Sequence, residues 1–167
     1  MRYQGHLYRA LNPIFARDPL SGRGAQLHGG RFNARGVPAL YLSLDVMTAV
    51  REANQVGTLQ PTMLVAYDAD IDAIFDTGDL SALAARGMTA GDLAIASWRD
   101  EMRTLGRART QAFAADLAAT GFSGLLVRSF ARGADETNRN LVLWRWSDAA
   151  PHRLTVIDDE GRLTPGA

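Results

Sequence analysis

The sequence predicts a single α+β domain. The length of 167 residues fits one domain and leaves little room for a second. Hydrophobic residues make up 47% of the chain, which is enough to build a core. Strand patterns lie toward both ends and helical patterns are concentrated between them, unlike the regular alternation of a parallel βαβ sheet. We expect the domain to span residues 1–163 and residues 164–167 to form a frayed end.

The first part of the chain combines two short strands with a long irregular segment. Residues 7–9 and 39–43 have the composition of strands. Between them, residues 12–35 are rich in Gly, Pro, Asp, Asn and Arg. A loop of that length is usually functional or disordered, and its mixture of glycines with arginines favours a function.

A helix after the second strand carries a candidate functional carboxylate. Asp45 is a good N-cap for this helix. Apolar residues then recur at the spacing of a buried helical face: Val46, Ala49, Val50 and Ala53. Glu52 lies at the edge of that face rather than opposite to it.

The second part of the chain is predicted to contain several helices and four further strands. Asp79 and Gly87 bracket a short helix, and Thr89 with Asp92 resembles a capping box that opens another. Apolar residues recur on one face of that next helix: Ile95, Trp98, Met102 and Leu105. Residues 111–120 form a further helix that stops at Gly121. The predicted strands are 62–69, 124–129, 140–146 (with Trp144 and Trp146 on one face) and 153–158.

Composition and charge exclude several classes of protein. The 18 basic residues, all arginines, balance 18 acidic ones, so the sequence lacks the basic excess of a nucleic-acid binder. The absence of cysteine excludes disulfides, thiolate metal sites and cysteine nucleophiles. The three histidines lack metal-ligand spacing, so no metal is expected. No stretch is apolar enough for a signal peptide or a membrane helix, so we expect a cytoplasmic protein without membrane contact.

The strongest candidate site starts at the segment His28-Gly29-Gly30-Arg31-Phe32-Asn33. Paired glycines let the backbone approach a ligand closely, and Arg31 offers a planar fork suited to a phosphate. Tyr41 and Glu52 follow at short distances along the chain. Plainer interpretations stay open: an Arg31–Glu52 ion pair, a simple glycine turn, and a tyrosine that only packs. His28 would need an orienting partner to act as a general base.

Four segments together resemble the RES family. They are "LYRA" with Arg9, "DPLSGRGAQLHGGRFNARG", "ALYLS" and "DVMTAVREA". Ser129 in "LLVRSF" and Asn140 in "RNLVLW" match the C-terminal positions of the family. Phe32 stands where the family usually has Trp, and Arg128 stands where it commonly has Pro. The resemblance covers nearly the whole chain and is more specific in the first half.

The resemblance implies an ADP-ribosyltransferase-like fold, in which helices flank a central twisted or split β-sheet. It also implies that the protein binds NAD+ as a substrate and breaks its nicotinamide–ribose bond without a metal. The ADP-ribose would pass to a host protein, or alternatively to water or phosphate. The implied catalytic residues are Arg31, Tyr41 and Glu52. The implied NAD+-binding residues are Arg9, Gly30, Asn33, Ser129 and Asn140.

The resemblance also implies the partners of the protein. Members of this family include bacterial toxins that are encoded beside an Xre-type antitoxin, so an antitoxin that blocks the NAD+ pocket is expected. The alternative from another class is a module that binds a phosphorylated partner without turnover. Glu52 argues against this alternative, because a carboxylate near a phosphate site repels the ligand and is expected there only if it has a chemical role.

Overall fold

Seven strands form one mixed sheet in the computed structural model, which describes residues 1–55 and 58–163. The strands are β1 (Tyr3–Leu11), β2 (Leu40–Ser43), β3 (Met63–Ile71), β4 (Ile74–Asp76), β5 (Gly124–Arg128), β6 (Arg139–Leu143) and β7 (His152–Val156). Their order is β4-β5-β6-β2-β1-β3-β7, and β4–β5 is the parallel pair among otherwise antiparallel neighbours. The predicted α+β class is confirmed. The frayed end predicted for residues 164–167 lies outside the described residues.

Short helices connect and cover the strands. They are α1 (Arg23–His28), α2 (Val46–Ala53), α3 (Leu80–Ala85), α4 (Ala90–Ala94), α5 (Trp98–Leu105) and α6 (Arg109–Ala119), with a 3₁₀ turn at Pro13–Phe15. The predicted caps begin their helices: Asp45 accepts from the Thr48 N–H and Asp79 from the Ala82 N–H. Thr89 and Asp92 form the predicted capping box. None of the helices in the described ranges has the length and apolar character needed to cross a membrane.

Both faces of the sheet are buried at β5, where successive residues belong to different core clusters. Leu126 belongs to one core cluster with Leu7 of β1, whereas Leu125 and Val127 belong to a second cluster. The second cluster includes Phe113 and two other residues of α6, as well as apolar residues of the α3–α4 region. The second face of the sheet therefore carries α6 and the α3–α4 region.

Three predicted elements differ in the structure. The helix expected through Ile95 is broken, because α4 ends at Ala94 and Ile95 adopts an extended conformation before α5 begins. The segment 12–35 is not a continuous loop, since it holds the 3₁₀ turn and α1. Strand β6 ends at Leu143, so Trp144 and Trp146 do not share a face and instead pack against different core clusters. Strand β4 was not expected from the sequence.

Candidate active site

A pocket of about 460 Å³ opens on the second face of the sheet. Its walls come from the strands β1, β2, β5 and β6, the helices α1, α2 and α5, and the turn of residues 29–32. Six of the predicted site residues line it: Arg9, Gly30, Arg31, Tyr41, Glu52 and Asn140. Ser129 lies directly behind Glu52, and Asn33 lies within the turn. The residues singled out from the sequence are therefore neighbours in space.

The turn that carries Arg31 is a tight hairpin. The Gly30 N–H donates to the Asn33 carbonyl at 2.9 Å, and the Asn33 N–H returns to the Gly30 carbonyl at 3.4 Å. The Nε1 of Trp144 donates to the Phe32 carbonyl at 2.8 Å, and the amide of Gln111 donates to the Gly30 carbonyl at 2.8 Å. Contacts from the residue after β6 and from α6 thus fix the turn from two sides.

Asn33 and Tyr41 lock the same turn from within. Asn33 is 2% exposed, and its amide donates to the carbonyls of Ala25 at 2.8 Å and Val37 at 2.9 Å. The Tyr41 hydroxyl donates to Oδ1 of Asn33 at 2.7 Å and accepts from the Phe32 N–H at 3.0 Å. Burial raises the pKa of Tyr41, so this hydroxyl stays protonated. The polar groups of both residues are thus used inside the protein, while the ring of Tyr41 faces the pocket.

The guanidinium of Arg31 is held by backbone and aromatic groups. Its Nη1 donates to the carbonyls of Leu93 at 3.1 Å and Ile95 at 2.6 Å. In a continuous helix these two carbonyls would accept from backbone N–H groups four residues later, whereas at the break between α4 and α5 they accept from Arg31. The ring of Phe130 lies 4.6 Å from the guanidinium carbon, and that of Trp98 lies at 5.7 Å.

Arg31 shares the pocket with a second cation. Burial, and then the charge of Arg99, lower the pKa of Arg31, whereas Glu52 raises it. Among the described residues, neither arginine takes part in a salt bridge, and Arg31 and Glu52 do not form the ion pair that the sequence left open. Two guanidinium groups without a carboxylate partner create a positive region suited to an anion.

Glu52 is held by hydrogen-bond donors rather than by a cation. Its Oε1 accepts from the Ser129 hydroxyl at 2.5 Å and from Nδ2 of Asn140 at 2.5 Å. Its Oε2 accepts from Nε2 of Gln55 at 2.5 Å. The Ser43 hydroxyl in turn donates to Oδ1 of Asn140 at 2.7 Å. The strands β2 and β6, together with the residue after β5, thus place three polar side chains beneath α2.

Arg9 and His28 differ in their surroundings from the residues at the centre of the pocket. Arg9 borders the pocket from β1, but its guanidinium donates to the carbonyls of Pro19 and Ser21 at 3.3 Å each. The Tyr67 hydroxyl also donates to the Pro19 carbonyl, at 2.8 Å. Arg9 therefore organises the start of the loop before α1. His28 is exposed at the end of α1 and is not among the pocket-lining residues.

Several neighbours of the candidate site were not singled out from the sequence, namely Ser43, Arg99, Gln111 and Phe130. The sequence placed Trp98 only on an apolar helical face. Trp98 is buried and also lines the pocket. The sequence did carry a signal for Gln111: it is a polar residue at the start of the predicted helix 111–120, directly before apolar residues. Within residues 1–55 and 58–163, no cluster of His, Asp and Glu has the composition of a metal site.

The comparisons with known proteins concern nearly the whole chain. A family model described as the RES domain matches residues 6–165. No curated protein matches the chain. The chain is similar to a chain in the crystal structure of the M. tuberculosis MbcT-MbcA toxin-antitoxin complex, with a TM-score of 0.68 and 22% sequence identity, over 95% of this chain and 84% of that chain. At this identity, the likeness shows a common fold.

Proposed function

The chain belongs to the RES family, and on this premise we propose that it binds NAD+ and breaks the bond between nicotinamide and ribose. We further propose that the ADP-ribose passes to a host protein, so that the domain acts as the toxin of a toxin–antitoxin pair. The observation that carries the proposal is the setting of Glu52. It is the one carboxylate among the described pocket-lining residues, whose other charged members are arginines.

The charges and the size of the pocket fit NAD+. Arg31 and Arg99 repel each other, and a pyrophosphate between them would relieve that repulsion. The pocket volume of about 460 Å³ lies in the range of small-molecule and cofactor sites. The Tyr41 ring offers an apolar face to the nicotinamide or its ribose. Asn33 and Gly30 contribute by shaping the turn, and Arg9 by holding the preceding loop.

The chemistry requires stabilisation of positive charge rather than a metal. When the C–N bond breaks, nicotinamide leaves with the electron pair from a cationic ring, so it departs neutral and needs no proton. The ribose carbon gains positive charge, as in glycoside cleavage. The carboxylate of Glu52, held in place by Ser129 and Asn140, would stabilise that charge. An acceptor then bonds to the same carbon and releases its proton.

The identity of the acceptor separates the proposal from its alternatives, in which water or phosphate takes the ADP-ribose. Purified protein is incubated with NAD+ alone, with added phosphate, and with a bacterial lysate. We expect nicotinamide in the lysate reaction and an ADP-ribosyl mass increase on a lysate protein. Nicotinamide release with free ADP-ribose or its phosphate as the sole product would replace the transferase proposal with one of the alternatives.

A phospho-ligand binding module remains the rival from another class. It accounts for Arg31 and Arg99, but it gives no role to a buried donor network that orients a carboxylate into the same pocket. NAD+ binding without nicotinamide release in any of the three reactions would favour this rival.

The proposed partner is an Xre-type antitoxin that covers the pocket. An acidic or carboxylate-bearing segment of such a partner could occupy the phosphate position between Arg31 and Arg99. Cross-linking of the complex would test this, because cross-links confined to surfaces remote from the turn of residues 29–33 would contradict pocket blocking.

A further inference from the structure

We infer that Ser43 is a positioning residue, which orients the amide of Asn140 and through it the carboxylate of Glu52. The inference deepens the proposed function and rests on it for its activity test. Ser43 and Asn140 are directly opposite each other in the antiparallel pair of β2 and β6. Opposite residues in such a pair bring their side chains together on one face of the sheet, which here is the pocket face.

The direction of the hydrogen bonds follows from the chemistry of the three groups. A carboxylate oxygen can only accept, so Asn140 must turn its NH₂ group toward Glu52. The amide oxygen then points the opposite way, toward Ser43, and the serine hydroxyl must donate. A single ordered chain therefore runs from Ser43 through Asn140 to Glu52, parallel to the direct donation from Ser129.

Burial makes the serine hydroxyl difficult to replace. Ser43 is 3% exposed, so water has little access to the amide oxygen from that side. Among the described residues, Ser43 is the one donor to Oδ1 of Asn140. Without it, the amide could rotate and present its oxygen to Glu52, which would replace a donor with a repulsive contact. Glu52 would then keep Ser129 as its donor on Oε1.

The activity test compares two buried serines. Ser43→Ala should lower kcat roughly ten- to a hundredfold, because the misoriented Asn140 amide loses its hydrogen bond to the charged Glu52, while KM for NAD+ changes little. Ser123→Ala is the matched control, because Ser123 is 0% exposed and its hydroxyl has no partner in the described structure. The control should keep kcat. Equal effects of the two variants would overturn the inference.

A double-mutant cycle tests whether Ser43 acts through Asn140. If it does, Ser43→Ala should cause no further loss of kcat in an Asn140→Ala background. Additive losses would show an independent role of Ser43 and overturn the inference.

A measurement without turnover keeps this inference separate from the proposed function. The side-chain NH₂ signals of Asn140, assigned by their loss in Asn140→Asp, should exchange slowly with solvent in the wild type and in Ser123→Ala. They should exchange faster in Ser43→Ala. Unchanged exchange in Ser43→Ala would overturn the positioning role, whether or not the wild type cleaves NAD+. Absence of nicotinamide release by the wild type would instead contradict the proposed function alone.

Discussion

The side-chain amide of Gln111, on α6, donates to the backbone carbonyl of Gly30 at 2.8 Å, although the two residues are 81 positions apart. The same nitrogen donates to the Asn33 carbonyl at 3.0 Å, and Oε1 accepts from the Ala108 N–H at 3.0 Å. With 1% exposure, Gln111 joins the start of α6 to the turn that carries Arg31. One buried side chain thus links the helical layer to the candidate site.

Replacing Gln111 with leucine should destabilise the fold and loosen the Arg31 turn. Leucine is apolar and of similar size, and it leaves the buried Ala108 N–H without its partner. We expect the free energy of unfolding to fall by about 1–3 kcal/mol, the cost of an unsatisfied buried polar group. Denaturant unfolding measures this. The matched control is Gln26→Leu, since Gln26 is exposed, and a loss as large in the control would contradict the account.

Gly30→Ala should be destabilising for a steric reason. A Cβ at this position would overlap the hydroxyl of Tyr41 and lie 2.6 Å from Oδ1 of Asn33. We expect a loss of about 1–3 kcal/mol, which is typical of overpacking, and partial recovery when Tyr41→Phe removes the hydroxyl. Gly24→Ala in α1 is the control, because its Cβ would meet nothing within 4 Å, and it should be neutral or stabilising in thermal unfolding. A tolerated Gly30→Ala would refute the described turn.

Arg31→Ala should weaken NAD+ binding as well as turnover. A phosphate clamp acts in both the ground state and the transition state, so its loss raises Kd and lowers kcat/KM. We expect Kd, measured by calorimetry, to rise about tenfold or more, which is the order of one charge-assisted hydrogen bond. Arg35→Ala is the control, because Arg35 is exposed and lies outside the pocket lining. An unchanged Kd for Arg31→Ala would remove Arg31 from the binding site.

The sequence predicted those features that depend on neighbours along the chain. The caps Asp45, Asp79 and Thr89 begin their helices because each bonds to a backbone N–H three residues later. The helical spacing was only partly right for α2: Ala49 is buried, but Val46 and Ala53, which were predicted on the same buried face, are exposed. Glu52, predicted at the edge of that face, lines the pocket.

The missed features depend on partners that are distant in sequence. The helix breaks at Ile95, whose carbonyl accepts from Arg31, 64 positions earlier, and no local pattern contains that information. The sequence placed Ser43 in a strand without a role in the site, because its hydrogen-bond partner Asn140 lies 97 positions later. Asn33 had the polar character of a ligand-binding residue, but its amide bonds to the backbone of residues 25 and 37.

Glu52→Gln tests the central claim most directly. Glutamine keeps the size of the side chain, and its carbonyl can still accept from Ser129 and Asn140, while the exposed Gln55 can reorient. The variant loses the negative charge, so we expect an unchanged thermal midpoint, near-normal NAD+ affinity, and nicotinamide release lowered at least a hundredfold, the usual effect of losing one preorganised electrostatic group. The three quantities are measured on the same preparation. Nicotinamide release at the wild-type rate would contradict the catalytic assignment, as would a loss of activity that follows a loss of stability.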